Sequence, residues 1–241
     1  MAEPLLSLRG VKTNIGRYHI LHGVEFDVAE GGLTMLLGRN GAGKTTTLRT
    51  IMGLWRAAAG EIRFAGRDIA RLDTPDIARL GIAYVPESMA IFADLTVQEN
   101  LILAARSGPP DQKRLDWIFT RFEALKRFWQ LPAGNLSGGQ KQMLSISRAV
   151  VEPRKLVLID EPTKGLAPAI IVALIECFAE IKRRGATILL VEQNFHVARE
   201  IGDAVLVMDN GRIVHRGAMA DLATDVALQE RLLGLSLEAH Q

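Results

Sequence analysis

Leu136-Ser137-Gly138-Gly139-Gln140 says more about this chain than any other pentapeptide in it. Upstream lies a glycine-rich loop, Gly38-Arg39-Asn40-Gly41-Ala42-Gly43-Lys44-Thr45, directly after the apolar run Leu33-Thr34-Met35-Leu36-Leu37. Downstream, Leu156-Val157-Leu158-Ile159 runs straight into Asp160-Glu161. Either flanking element is common by itself. The pentapeptide some twenty residues ahead of a paired Asp-Glu is not.

Each element has its own chemistry. The loop meets the Gly-x-x-x-x-Gly-Lys-Thr pattern in its required setting, with a strand before it and a helix after it. Glycines let consecutive backbone N–H groups wrap a phosphate chain, and the helix start adds partial positive charge. Lys44 is placed to reach the β- and γ-phosphates and the Thr45 hydroxyl to ligate Mg²⁺. An unliganded glycine turn is the competing reading, and pattern plus context leave it little room. Four apolar strand residues followed by Asp and Glu fit a Walker B element, with Asp160 holding Mg²⁺ through its water shell and Glu161 polarising the attacking water. A helix cap explains Asp160 alone but not both carboxylates. Ser137 and the two glycines open a helix running towards Val151, and a helix start is an anion site. A plain capped helix start accounts for that pentapeptide equally well when it is taken alone.

Composition bounds the rest. The 241 residues include 29 basic and 27 acidic side chains, a near balance that gives no electrostatic reason to expect nucleic acid. The single cysteine, Cys177, excludes an internal disulfide and fits a reducing compartment. It lies in an apolar helical run, residues 169–181, so a buried packing thiol is expected. The start, Met1-Ala2-Glu3-Pro4-Leu5, lacks the basic and apolar regions of a secretory signal. No run approaches the ~20 apolar residues that span a bilayer, and residues 169–181 also carry Glu176 and Glu180. The expectation is a cytoplasmic chain whose membrane role comes through a partner.

Periodicity places the motifs. Residues 5–11 and 24–28 alternate as half-buried antiparallel strands do, and residues 61–64 alternate again. A helix is expected over residues 43–53 and a short strand over 83–85. Residues 96–151 change to helical periodicity, broken at Ser107-Gly108-Pro109-Pro110-Asp111. Residues 155–160 and 186–191 read as buried parallel strands with a helix over 169–184 crossing between them. Asp209-Asn210-Gly211 is a hairpin turn between strands at 204–208 and 212–215, and short helices close residues 219–233. Trp117, Phe119, Phe122, Phe128 and Trp129 have near-helical spacing and read as core. Trp55 reads as packing, and Lys182-Arg183-Arg184 as a basic helix end.

The pentapeptide, the loop and the Asp-Glu pair, in this order, resemble the ATP-binding cassette family, the motor subunits of ABC transporters, across nearly the whole chain. The resemblance implies an α/β fold: a P-loop NTPase cassette with a mostly parallel core sheet, an antiparallel β subdomain and an inserted helical subdomain. The expected division is one ATP-binding domain over residues 1–241, with the catalytic core and β subdomain at 1–93 and 152–241 and the helical subdomain with its signature at 94–151. ATP and Mg²⁺ are the implied ligands. Gly38 to Thr46 would hold the nucleotide; Thr45, Asp160 and Glu87 the metal; Glu161, Lys44 and Gln193 would act in hydrolysis. In this family Leu136 to Gln140 face the γ-phosphate of ATP held by the opposite subunit of a head-to-tail dimer, so two ATP molecules at a dimer interface are implied.

Three positions depart from the common family pattern. The adenine-stacking aromatic that usually precedes a glycine is replaced by Ile15-Gly16, with Tyr18 three residues on as a substitute or a surface tyrosine. Glu87, in Val85-Pro86-Glu87, stands where most relatives have glutamine. Gln193, in Val191-Glu192-Gln193-Asn194, stands where they place a histidine; His196 is expected on an exposed helix turn instead. Together with Gly165-Leu166-Ala167-Pro168 and Leu232-Leu233-Gly234, these departures resemble the ATP-binding subunits of branched-chain amino-acid importers. That branch implies two membrane-spanning permease subunits, a second, non-identical ATPase subunit, a periplasmic binding protein acting indirectly, and a place on the inner face of the cell membrane. Import of urea, short amides or another small solute, or a soluble non-transport ATPase, are the alternatives. Lys164 replaces the more usual Leu or Ser and reads as a solvated surface charge. Met89, Ile91 and Phe92 are expected to line a socket for a short helix of the membrane subunit, with subdomain core as the competing reading.

Overall fold

The computed structural model describes residues 3–106 and 108–234. Met1-Ala2 of the N-terminus and Ser107 of the expected polar break lie outside the described residues. From the N-terminus, β1 (Leu6–Ile15) and β2 (Tyr18–Val28) form a hairpin, and β3 (Leu33–Leu37) leads through the glycine-rich loop into α1 (Lys44–Ile51). β4 (Ala57–Phe64), β5 (Arg67–Asp68) and α2 (Thr74–Arg79) precede β6 (Ile82–Val85). Four α-helices follow: α3 (Val97–Ala104), α4 (Gln112–Arg121), α5 (Glu123–Arg127) and α6 (Gly138–Val150). The chain then runs through β7 (Leu156–Asp160), α7 (Pro168–Arg183), β8 (Thr187–Val191), α8 (Phe195–Ile201), the hairpin β9 (Ala204–Asp209) and β10 (Arg212–Ala218), α9 (Met219–Thr224) and α10 (Val226–Leu233).

Five of these strands lie parallel in the order β9-β3-β8-β7-β6, with β10 antiparallel at the edge. Their residues are apolar without alternation because both faces are covered. Every residue of β3, β7 and β8 is buried. Met35, Val157, Ile159, Ile188 and Leu190 face one hydrophobic core, built with α6 and α7. Leu36, Leu158, Leu189 and Val191 face the other, which they share with the second sheet, β2-β1-β4-β5. Because parallel strands share a direction, the segments that follow β3, β8, β7 and β6 all emerge at one edge, where open α/β sheets bind ligands.

The antiparallel strands run longer than the alternation indicates. β1 and β2 continue to the pair Ile15–Tyr18, but register shifts after Leu8, Val11 and Thr13 break the period-2 pattern. β4 starts at Ala57, in an Ala-Ala-Ala-Gly run of low strand propensity. In the helical segment, Thr96 and Glu99 form a capping box on α3, and Asp111 caps α4. Trp117 and Phe122 are buried; Phe119, Phe128 and Trp129 pack partly buried on the same core. Among the described residues no helix is long and apolar enough to cross a membrane.

Cys177, on α7, is fully buried, and burial pushes its thiol up to about 12. Ellman's reagent at pH 8 should leave the native protein unmodified and react with one thiol per chain only on unfolding in guanidinium; rapid labelling of the native protein would contradict the core placement.

Candidate active site

The glycine-rich loop is shaped by the hairpin that clasps it. Gly38 has φ 144°, and a Cβ there would fall 2.1 Å from the Met208 carbonyl oxygen of β9. The β9–β10 turn, with Asn210 and Gly211 at φ 45° and 71°, donates Gly211 N–H to the Ala42 carbonyl at 2.9 Å. A Cβ on Gly211 would meet the Ile20 carbonyl at 2.1 Å, so both approaches require glycine. The loop therefore rests on three strands, and α1 starts behind it with its N–H groups aimed at the loop.

A cavity of about 350 Å³ opens against this loop, lined by residues 40–46 together with Ile20, Glu87, Glu161 and Lys164. The Lys44 ammonium donates to the carbonyls of Gly38 (2.8 Å) and Arg39 (3.1 Å) and stands 3.7 Å from Glu161 Oε1. Burial pulls its pKa down, against the opposing pull of Glu161 and Asp160. Glu161 follows β7 with φ 46°, a left-handed conformation that costs of order 1–3 kcal/mol in a non-glycine residue. Its amide donates to the Val191 carbonyl at 2.9 Å, and Gln193 Nε2 donates to Oε1 at 2.5 Å.

Asp160, the last residue of β7, has no exposed surface. Thr45 Oγ1 donates to its Oδ1 at 3.1 Å and the Tyr84 hydroxyl to its Oδ2 at 3.2 Å. Burial raises the carboxyl pKa, and these two hydrogen bonds only partly oppose it. Burial and the neighbouring Asp160 push the Tyr84 phenol up to about 12. Hydroxyl and carboxylate oxygens at one spot suit a hard cation. Among the described residues no three acidic, histidine or cysteine side chains gather as a ligand set. Mg²⁺ fits that donor set, because it keeps several waters and shares phosphates rather than demanding a full protein cage.

Not every residue singled out from the sequence lies at this cavity. Ile15 and Tyr18 are cross-strand partners at the end of the β1–β2 hairpin, Tyr18 is 76% exposed, and neither lines the cavity. Ile20 does. Leu136 to Gln140 are also away from it: Ser137 caps α6 in a capping box with Gln140, and Leu136 is buried. His196 is exposed on α8. Lys164 is exposed, as its reading as a solvated charge expects, and it also lines the cavity and donates to Glu87 Oε1 at 2.6 Å. Glu192 received no role from its sequence. It is 2% exposed and accepts from Thr163 Oγ1 (2.6 Å) and from the amides of Gln193 (3.0 Å) and Asn194 (3.2 Å). It thereby ties the segment after β7 to the segment after β8. An acidic residue directly after the four buried apolar residues Ile188 to Val191 was the available signal.

A second cavity, about 710 Å³, lies between α1, α2, β6 and α6. Met89 and Trp55 line it, so Trp55 is a groove residue rather than core packing. Ile91 packs partly buried on the main core, and the exposed Phe92 ring lies under the Arg148 guanidinium at 4.9 Å, so of the three residues expected to meet the membrane subunit only Met89 lines this groove. Tyr84 lines the groove and touches Asp160.

Residues 21–164 match the ABC transporter family model, and the chain belongs to that family as one of its ATPase cassettes. It is 40% identical to the high-affinity branched-chain amino acid transport ATP-binding protein BraG of Pseudomonas aeruginosa, over 95% of this chain and 100% of the relative. It is 35% identical to the probable branched-chain amino acid transport ATP-binding protein LivF of Archaeoglobus fulgidus, over 95% and 99%. A solved nucleotide-free cassette from an ABC transporter superposes with a TM-score of 0.81 at 25% identity, covering 97% of this chain and 100% of that one. The solved ATP-binding subunit of another ABC transporter gives 0.80 at 33% identity, covering 97% and 96%.

A buried carboxyl with a raised pKa is stabilising while protonated, and that contribution is lost as pH rises through the folded-state value. Ionised Asp160 therefore burdens the nucleotide-free protein at neutral pH. Asp160→Asn should raise its melting temperature by ~2–4 °C per kcal/mol recovered. The gain should be larger at pH 8 than at pH 5, as read by scanning calorimetry. A lower melting temperature at pH 8 would contradict this account.

Proposed function

We propose that the chain is the ATP-hydrolysing motor subunit of an importer for branched-chain or related amino acids. The observation that carries the reading is the placement of Glu161 beside Lys44 and Gln193 at the edge of the cavity that the glycine-rich loop lines. The names of the relatives support the solute class. The loop amides and Lys44 bind the phosphates, and Thr45 and Asp160 hold Mg²⁺ with Glu87 as a further oxygen donor. When bound, Mg²⁺ neutralises phosphate charge as it develops. Glu161 takes the proton of the attacking water, and Gln193 donates to its carboxylate and holds it in place.

We further propose a head-to-tail dimer, with Leu136 to Gln140 contributing to the site of the opposite subunit. None of the five lines the cavity at this chain's own loop, which supports that arrangement. A second, non-identical ATPase subunit, two permease subunits and, indirectly, a periplasmic binding protein complete the assembly at the inner face of the membrane. The division into residues 1–93 with 152–241, and 94–151, is supported by the run of helices between β6 and β7. The 710 Å³ groove is the seat for the membrane subunit. Its Met52, Trp55, Ala83 and Met89 are apolar contact residues, and Arg49, Arg106, Arg148 and Arg154 line it too.

Tagged Glu161→Gln protein, purified from detergent-solubilised membranes in Mg-ATP, should bring down two polytopic membrane proteins and a different ATPase. Recovery of the tagged chain alone, or with ribosomes, would sink the transporter reading. The half-buried groove residue Ala78 offers a second test. Ala78→Trp should abolish that recovery while ATP binding persists, and unchanged recovery would place the membrane subunit elsewhere.

A further inference from the structure

Two lysines reach the cavity that the glycine-rich loop lines, and only Lys44 belongs to that loop. Lys164 follows β7 by four residues, and its ammonium meets carboxylates from two different segments: Glu87 Oε1, after β6, at 2.6 Å and Glu161 Oε2 at 3.7 Å. The Glu161 carboxylate thus has a lysine 3.7 Å from each oxygen, Lys44 on Oε1 and Lys164 on Oε2. Glu161 and Glu87 put two carboxylates on the lining of a cavity meant for a polyphosphate, with Asp160 buried behind Thr45. An unpaired Glu87 there would repel the ligand. We propose that Lys164 is a positioning residue: it neutralises Glu87, fixes it beside Glu161, and so lets a carboxylate serve at the phosphate end of the site.

Among the described residues nothing hydrogen-bonds Glu87 Oε2, so Lys164 can hold one oxygen while the other stays free to face the cavity. The inference rests on the nucleotide-site reading above and extends it to a residue outside the glycine-rich loop and the Asp160-Glu161 pair. Lys164 is 61% exposed, so replacing it removes charge without opening the core.

A double-mutant cycle tests the pair. Binding of the non-hydrolysable analogue AMP-PNP is measured by calorimetry for the unaltered protein, Lys164→Met, Glu87→Gln and the double variant, across a range of free Mg²⁺, with circular dichroism to check folding. Lys164→Met should weaken Mg-AMP-PNP binding about three- to fivefold, the range of a partly exposed ion pair, and raise the free Mg²⁺ needed for half-saturation. In the Glu87→Gln background the same change should do neither. Equal losses in both backgrounds would show Lys164 acting on the ligand directly and overturn the proposal. No effect of Lys164→Met in either background would reduce it to a surface charge and overturn it as well. Failure of the unaltered protein to bind Mg-AMP-PNP would instead overturn the nucleotide-site reading itself, and this proposal with it.

Discussion

Asp160 is a carboxylate placed where water cannot reach it, at the end of a strand buried on both faces. Burying an ionised carboxylate is costly unless hydrogen bonds or a cation compensate, and here two hydroxyls, from Thr45 and Tyr84, supply only part of that. The surrounding architecture follows from this imbalance. Thr45 is the second residue of the helix that the loop introduces, and Tyr84 sits on the neighbouring strand, with Val85 and Pro86 leading from it to Glu87. A divalent cation, which Asp160 and Thr45 would hold, would supply the compensating positive charge.

Strand order makes that arrangement possible. β3, β8, β7 and β6 are adjacent and parallel, so the loop, Glu192 with Gln193, Asp160 with Glu161, and Glu87 emerge side by side from distant parts of the sequence. Glu161 accepts a left-handed backbone because its neighbours hold it there: its amide on Val191, its side chain on Gln193 and between two lysines. Tyr84 gives the buried carboxylate a contact on the far side. Its hydroxyl bonds Asp160 while the residue also lines the groove, so something seated in the groove would lie against a direct neighbour of that buried carboxylate.

Much of this was legible in the sequence because it is written in local patterns. Continuous apolar runs marked the central strands, the glycine pattern marked the loop, and Asp209-Asn210-Gly211 marked the hairpin that clasps it. The missing parts depend on tertiary neighbours. The bulges in β1 and β2 hide strand period. Nothing local indicates that Ile20 rather than Ile15 or Tyr18 reaches the cavity, since that follows from hairpin length and register. Lys164 looks like an ordinary surface charge until Glu87, 77 positions away, is beside it. Nothing local indicates that the half-exposed Phe92 ring takes the Arg148 guanidinium over one face, 56 positions on.

The proposed role of Glu161 as the base in a hydrolytic ATP site is checked by phosphate release in Mg-ATP from the unaltered protein and from Glu161→Gln, with ATP binding measured alongside. The unaltered protein should release phosphate and the variant should lose about 100-fold or more, the scale of a missing general base, with binding retained. Equal rates in the two proteins would contradict it and place the base on another residue.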